Sequence, residues 1–320
     1  MKSNESENPI KNEKFGSLFI RNAKKQKFLL LITIPFILYV FLFSYFPLWG
    51  WIWSFFKFKP GVALSLNDFV GLKYYYKIFG DATFWLALRN TLVLSILSLS
   101  FGTVSAIVFA VFLNELKNGI FKRFAQTISY LPHFVSWVVV ATLFIGMTKT
   151  IGVPGVIYKT LLDLGLVKQD YNLMLQGNLY WIMITMIGIW KETGWAAIIY
   201  LAAMTGINSE LYEAAYVDGA GRFKRIWNIT LPGIKTTIIV LLILNTGWIL
   251  GTGFEQKLLF GNAANFDYSE VLGSFIYRWG LGQREYSFAM AANVFQSLVG
   301  FLLVVTANFT SKKLNDTAIF

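Results

Sequence analysis

The sequence predicts an all-α integral membrane protein with six transmembrane helices. Apolar residues make up 56% of the 320 residues and charged residues only 14%, whereas soluble domains have about 45–50% and about 25%. The apolar residues fall in blocks long enough to cross a bilayer, which takes about 20 residues as a helix. The predicted spans are residues 28–56, 86–113, 128–147, 179–204, 232–252 and 288–309.

The distribution of basic residues predicts the orientation of these spans. With the N-terminus in the cytoplasm, the inner segments carry 15 Lys and Arg and the longer outer segments carry 10, in the sense of the positive-inside rule. The sequence therefore predicts a multi-pass protein of the cytoplasmic membrane with both termini in the cytoplasm. Its parts are an N-terminal tail (1–27), a six-helix domain (28–309) and a C-terminal tail (310–320). The first apolar block is too long for a cleavable signal peptide.

Composition and motifs exclude several function classes. The net charge of +11 does not indicate a nucleic-acid partner, because the basic residues lie in short loops. The chain has no cysteine, and its single histidine, His133, cannot form a metal site alone; we interpret it as an ordinary interfacial residue. No P-loop is present in the sequence, so if the protein moves a solute actively, the energy must come from a partner or an ion gradient. No catalytic constellation converges, which predicts a protein that is not an enzyme and has no cofactor or metal of its own.

The most informative segment is polar and basic and lies between the fourth and fifth spans. Asn208 or Ser209 can cap a helix, and Glu213 puts negative charge near its start, where the helix dipole favours it. Gly219 can end that helix and turn the chain. Pro232 suits the first turn of the next helix. These signals predict a helix–turn–helix on the membrane surface, shaped to be held by another protein.

This segment resembles the signature loop of the permease subunits of binding-protein-dependent ABC importers. The shared pattern is Glu-Ala-Ala, a Gly six residues after the Glu, and Ile-x-Leu-Pro, here Glu213, Ala214, Ala215, Gly219, Ile229, Leu231 and Pro232. The resemblance implies a type I importer permease fold, in which this coupling loop (205–231) sits in a groove of the ATPase subunit. The residues expected to couple to the ATPase are Glu213, Ala214, Ala215, Asp218, Gly219, Phe223, Leu231 and Pro232.

Two further stretches, Asn90–Leu92 and Trp190–Trp195, are similar to the branch of this family that imports sugars, and most similar to permeases for complex oligosaccharides. This resemblance implies a set of partners. They are a pair of cytoplasmic ATPase subunits that bind the ATP, a second permease subunit, an extracellular solute-binding protein, an oligosaccharide substrate and the lipid bilayer. The second permease is expected to be a related but different chain, which makes a heterodimer, and a homodimer remains the open alternative.

Charged, amide and aromatic residues inside the fourth and fifth spans are candidates for the substrate pathway. A charge in mid-span costs about 2.5–3.5 kcal/mol, so it usually pairs or faces an aqueous cavity. A mostly apolar pocket with a few placed polar groups is the usual pattern of a binding site. The predicted pathway residues are Lys191, Glu192, Trp195, Asn245 and Trp248. Equally open is that the two charges are satisfied by a neighbouring helix or by the second permease subunit.

Two other features lead to expectations about packing. The second span carries small residues on one face, which we interpret as a helix-packing surface rather than a solute-lining one: Thr91, Ser95, Ser98, Gly102 and Ser105. The outer segments 57–85, 148–178 and 253–287 are rich in aromatic residues, which predicts folded lids or short helices.

Two alternative functions remain open from the sequence. One is an importer of the same class for a non-sugar solute, such as an amino acid or an ion. The other is a secondary transporter driven by protons or sodium ions, with Lys191 and Glu192 as the ion-linked pair.

Overall fold

The computed structural model describes residues 26–117, 119–150, 152–169, 171–315 and 319. Apart from one β-bridge between Phe56 and Phe69, the regular structure in these ranges is helical. The predicted N-terminal tail, residues 1–27, lies almost wholly outside the described residues. The α-helices are α1 Lys27–Val40, α2 Lys73–Phe79, α3 Ala82–Glu115, α4 Ile120–Phe134, α5 Trp137–Thr148, α6 Val156–Asp163, α7 Gly177–Thr205, α8 Ser209–Val217, α9 Arg222–Arg225, α10 Leu231–Gly233, α11 Lys235–Thr246, α12 Phe254–Phe260, α13 Phe266–Ser269, α14 Leu272–Tyr277 and α15 Tyr286–Asn315.

Within the described residues, four helical stretches are long and apolar enough to cross a membrane, and up to six spans result if each of two bent helix pairs is one span. Four are single apolar stretches, Lys27–Phe55, Ala82–Glu115, Gly177–Thr205 and Tyr286–Lys313. Two bent helix pairs bring the number to six if each is one span: α4 with α5, bent by 96°, and Arg222–Gly233 with α11, bent by 55°. The last helix also runs through residues 310–315, so the predicted C-terminal tail begins as a continuation of the sixth span.

The third span departs from the prediction of one helix over residues 128–147. Helix α4 contains Pro132 and ends at Phe134, where Val135 takes an extended backbone conformation with ψ 130°. The side chain of Ser136 then accepts a hydrogen bond from the Val139 N–H and caps α5. The apolar composition continues across this break, which is why a prediction from composition alone gives one continuous helix.

The chain divides into two units, Met1–Ile52 and Trp53–Phe320. In the first, α1 continues through a π-helical turn, Phe41–Tyr45, into a 3₁₀ segment that begins at Phe46. In the second, α3 and α7 pack closely because small residues lie at their contact: Ala106, Ala110 and Ala197 are fully buried. Small side chains at such crossings allow the backbones to approach.

The outer segments fold into short helices, as their aromatic content predicts: α2 lies in the first, α6 in the second, and α12, α13 and α14 in the third. The third segment is fastened to α3. Asn90, which is fully buried, donates hydrogen bonds to the carbonyls of Asp267 (3.0 Å) and Glu270 (2.8 Å). The Thr91 hydroxyl accepts the Leu272 N–H at 2.9 Å. These two residues of the family-like Asn90–Leu92 stretch thus hold the outer segment in place.

A buried ion cluster lies within the same outer segment. Glu270 is 1% exposed, and its carboxylate is 3.1 Å from the Arg278 guanidinium and 3.7 Å from the Lys257 ammonium. Lys257 also donates to the Ser269 hydroxyl at 2.8 Å. Burial lowers the pKa of Lys257, and the nearby Glu270 carboxylate opposes that shift. The cluster fixes α12 against the segment that leads into α14.

Candidate functional site

The local structure predicted for the coupling loop is confirmed. The Asn208 side chain, rather than Ser209, caps α8 by accepting the Glu210 N–H at 3.0 Å. Gly219 follows the end of the helix with φ +75°, a left-handed conformation that favours glycine. The N–H groups of Gly219 and Ala220 bond back to the carbonyls of Tyr216 and Ala215 at 3.1 and 2.8 Å. Both ends of α8 are therefore closed by hydrogen bonds.

The coupling loop exposes large apolar side chains. Tyr216 is 71% exposed, Val217 85%, Phe223 76% and Trp227 63%. The rings of Phe223 and Trp227 stack with centroids 6.3 Å apart. Such a patch on an otherwise polar and basic segment marks a site of protein or membrane contact. Of the residues expected to couple, Ala215 and Leu231 are half-buried, and the others are exposed: Glu213, Ala214, Asp218, Gly219, Phe223 and Pro232.

The two arms of the loop are joined to one another. The hydroxyl of Tyr212 in α8 lies 2.9 Å from the hydroxyl of Thr230, which is 1% exposed, just before α10. A movement of α8 therefore bears directly on the start of the fifth span.

Two adjoining cavities lie between the helices. The proximal cavity, nearer the coupling loop, has a volume of about 400 Å³ and is lined by Ser95, Ser98, Leu99, Gly102, Thr103, Ala106, Trp195, Ala196, Ile199, Tyr200, Leu241, Asn245, Trp248, Ile249 and Thr252. The distal cavity has about 310 Å³ and is lined by Ser98, Gly102, Trp137, Thr185, Gly188, Ile189, Glu192, Thr193, Ala196, Thr252 and Gln256.

The structure brings four of the five predicted pathway residues to these cavities. Trp195, Asn245 and Trp248 line the proximal cavity and Glu192 lines the distal one. Helix α11 ends at Thr246, and a 3₁₀ turn, Ile249–Gly251, completes the predicted fifth span. Trp248, which lies between this helix end and the 3₁₀ turn, lines the proximal cavity.

Lys191 lines neither cavity. It is 5% exposed, and its ammonium donates to the carbonyl of His133 at 2.7 Å and to the Glu192 carboxylate at 3.0 Å. The other Glu192 oxygen lies 2.6 Å from His133 Nδ1. The charges of Lys191 and Glu192 are thus satisfied by one another and by a neighbouring helix, here α4, which is one of the alternatives left open by the sequence. The interpretation of His133 as an ordinary interfacial residue is wrong, because its ring also stacks on Trp195 with centroids 4.4 Å apart.

The contact between α4 and α7 at this network requires a glycine. A Cβ atom on Gly194 would lie 2.0 Å from the carbonyl oxygen of Ser129. No side chain fits at that distance, so the close approach of the two helices depends on Gly194.

The small-residue face of α3 has a divided role. The hydroxyls of Thr91 and Ser95 bond to backbone groups of Leu272 and Ile249, and Ser105 accepts a hydrogen bond from Thr193; these are packing contacts. Ser95 also lines the proximal cavity, however, and Ser98 and Gly102 line both cavities. The interpretation of the whole face as a packing surface is therefore wrong for Ser98 and Gly102, and Ser95 has both roles.

Comparison with known proteins places these features in a family. Residues 100–314 match the model of the binding-protein-dependent transport system inner membrane component. The chain belongs to this family. It is 38% identical over 313 residues to Protein LplB of Bacillus subtilis, covering 98% of this chain and 97% of LplB. It is 39% identical over 311 residues to the polygalacturonan/rhamnogalacturonan transport system permease protein YteP of the same organism, covering 97% and 95%.

A solved structure shares the fold of this permease. It is a chain of a bacterial alginate ABC transporter in complex with an alginate pentasaccharide-bound periplasmic protein. The TM-score is 0.83 at 34% identity, and the match covers 93% of this chain and 99% of the other. The predicted all-α fold of a type I importer permease is confirmed. The chain is accordingly a pore-forming membrane subunit and not an enzyme.

Proposed function

We propose that this permease takes up a carbohydrate, specifically an oligosaccharide that an extracellular binding protein delivers. The observation that carries the proposal is the proximal cavity, which combines the indoles of Trp195 and Trp248 with the amide of Asn245. The flat apolar face of an indole packs on a sugar ring, while amide and hydroxyl groups exchange hydrogen bonds with sugar hydroxyls. An apolar pocket with a few polar groups suits such a ligand.

The names of similar proteins support the same substrate class. YteP is named for polygalacturonan and rhamnogalacturonan transport, and the solved relative was captured with an alginate pentasaccharide on its periplasmic protein. A more distant relative, 28% identical over 90% of this chain, is the arabinooligosaccharides transport system permease protein AraP of Bacillus subtilis. These names refer to sugars of more than one unit, which favours an oligosaccharide here.

ATP hydrolysis by a pair of partner subunits would drive transport through the coupling loop. The exposed side chains of Phe223, Trp227 and Val217 supply an apolar surface that the ATPase would bind. The capped ends of α8 and the bond between Tyr212 and Thr230 would let the loop move as a rigid body. In this account the loop faces the cytoplasm, both termini lie on the same side, and a second permease subunit completes the pore as a heterodimer.

In this account the network of Lys191, Glu192 and His133 holds α7 against α4 rather than carrying an ion. Its charges are matched inside the chain, so it requires no coupling ion. The gradient-driven alternative instead makes Lys191 and Glu192 the ion-linked pair, and it predicts transport without any ATPase.

Uptake by intact cells tests the proposed function. Cells that express the complete importer, and a strain lacking only this chain, are given labelled oligogalacturonates, alginate oligosaccharides and arabino-oligosaccharides. We expect at least one series to enter only when the chain is present. Its uptake should survive a protonophore while ATP is maintained and should stop when ATP is depleted. Uptake that persists after ATP depletion would refute the ATP-driven account, and entry of no series would refute the carbohydrate assignment.

A further inference from the structure

The distal cavity is lined by a residue whose buried hydroxyl has no hydrogen-bond partner. Thr185 in α7 is 6% exposed, and its Oγ1 is unpartnered in the described structure. Helical threonines commonly bond to the carbonyl four residues back, as Thr127 and Thr142 do in this chain at 2.9 Å. Helical threonine has two accessible χ1 rotamers, and a rotation between them moves the hydroxyl from one staggered position to another. Thr185 therefore holds an unused donor and acceptor beside the cavity.

The other groups around this cavity match a sugar unit. Trp137 supplies an aromatic ring, Gln256 an amide, and Ser98 and Thr252 hydroxyls. The Glu192 carboxylate is fixed by His133 and Lys191 but remains 44% exposed. It is thus a pre-positioned acceptor for hydroxyl groups. We propose that the distal cavity is a second sugar-binding subsite, which holds another unit of the oligosaccharide whose first unit lies in the proximal cavity.

Two glycines keep space open at this subsite. A Cβ atom on Gly102 or on Gly188 would meet no other atom within 4 Å, so neither glycine is required by packing. Glycine is unfavourable in the middle of a helix, and both positions line the distal cavity. Gly102 lines the proximal cavity as well, so it lies where the two cavities meet and leaves the passage between them clear.

The two cavities follow one another along α7. Thr185, Gly188 and Glu192 line the distal cavity, and Trp195, Ile199 and Tyr200 line the proximal one. From Thr185 to Tyr200 the helix rises about 22 Å, which is longer than one sugar ring. A chain of several units would occupy both cavities, whereas a short sugar would fill only one. The inference rests on the proposed function and adds selection by length to it.

Accessibility of introduced cysteines tests whether the cavity is part of the pathway. The chain has no cysteine of its own, so Thr185→Cys in the assembled importer carries the only thiol of this subunit. We expect a charged methanethiosulfonate reagent to modify it, and the transported oligosaccharide, delivered with the binding protein, to slow that reaction. Ile184→Cys, at the neighbouring buried core position, is the matched control and should stay unmodified. The subsite would be overturned if Thr185→Cys is not modified either with or without ATP. It would also be overturned if the oligosaccharide does not change the modification rate.

A ladder of sugar lengths tests the division into two subsites. The ladder is the dimer to pentamer of whichever oligosaccharide series the unmodified importer takes up. Thr185→Val and Gln256→Leu each remove a hydrogen-bonding group and should raise KM about fivefold for the pentamer, with the dimer changing little. Asn245→Ala, in the proximal cavity, should impair every length alike. Gly102→Leu should block the passage and affect long sugars most.

Equal losses for all lengths in Thr185→Val and Gln256→Leu would overturn the second subsite while leaving the proposed function intact. If the unmodified importer takes up none of the oligosaccharide series, that result would instead count against the proposed function. In that case the cysteine experiment still reports whether water reaches Thr185, and an unreactive Thr185→Cys would overturn the subsite independently.

Discussion

Replacement of Gly194 by alanine perturbs the contact between α4 and α7 with a single methyl group. The new Cβ would lie 2.0 Å from the carbonyl oxygen of Ser129 and 2.5 Å from its carbonyl carbon. These are backbone atoms that no side-chain rotation can move. To reach even 3.0 Å from the oxygen, the helices must separate by about 1.0 Å. Glu192 and Lys191, which bond to His133, lie two and three residues before Gly194 on α7. The same movement therefore lengthens their hydrogen bonds to His133.

The change in the free energy of unfolding has three contributions, of which two destabilise the variant and one stabilises it. Overpacking of a close contact costs about 1–3 kcal/mol. A shift of about 1 Å would lengthen the Lys191–His133 bond of 2.7 Å and the Glu192–His133 bond of 2.6 Å beyond hydrogen-bond range, and each charged hydrogen bond contributes about 1.5–3 kcal/mol. Alanine stabilises a helix interior by about 1 kcal/mol relative to glycine, which offsets part of this cost. We take about 3 kcal/mol as the net loss, because partial relaxation will preserve some of the bonding.

Thermal unfolding of the purified importer in detergent measures this loss. A change of about 3 kcal/mol lowers Tm by roughly 6–12 °C at the scaling of about 2–4 °C per kcal/mol found for domains of about 150–250 residues. Gly146→Ala and Gly188→Ala are matched controls, since a Cβ at either position meets nothing within 4 Å; neither should lower Tm. An unchanged Tm for Gly194→Ala, or an equal fall in all three variants, would refute the argument that this glycine sets the helix separation.

Three further substitutions test the coupling loop and the outer segment. Glu213→Lys reverses an exposed charge and should lower ATP-driven uptake about tenfold, equivalent to about 1.4 kcal/mol, with normal membrane insertion; normal uptake would contradict a role in coupling. Gly219→Val places a side chain at φ +75°, which costs about 1–2 kcal/mol and should weaken ATPase binding, whereas Gly221→Ala at φ −65° should not. Glu270→Gln removes the buried partner of two cations and should destabilise the fold by about 3–5 kcal/mol in thermal unfolding, while Glu255→Gln at an exposed position should have no effect.

Local signals made the coupling loop predictable. The cap at Asn208, the turn at Gly219 and the helix restart at Pro232 each depend on residues only a few positions apart. The conformation of such a segment is set by its own backbone hydrogen bonds. The all-α class was equally predictable, because a segment of about 20 apolar residues in lipid must satisfy its backbone hydrogen bonds internally, which a helix does.

Long-range geometry set the limit of prediction. His133 and Glu192 are 59 residues apart in sequence, and no periodicity in either helix indicates that they meet. After Phe134 the axes of α4 and α5 differ in direction by 96°, although the apolar composition continues across the bend. Pro132 and Ser136 were the local indications of a helix break. Ser98 and Gly102 share a spacing with true packing residues, and only the fold distinguishes those that face a cavity.

The most direct test of the central claim is the composition of the complex that forms around this chain. The tagged chain is solubilised gently from its native membrane, and its co-purifying proteins are identified by mass spectrometry beside those of the Glu213→Lys variant. We expect an ATPase subunit and a second, related permease among these proteins, with the ATPase depleted in the variant. A lone chain or homo-oligomer without any nucleotide-binding partner, reproduced in several detergents, would contradict it and favour gradient-driven transport.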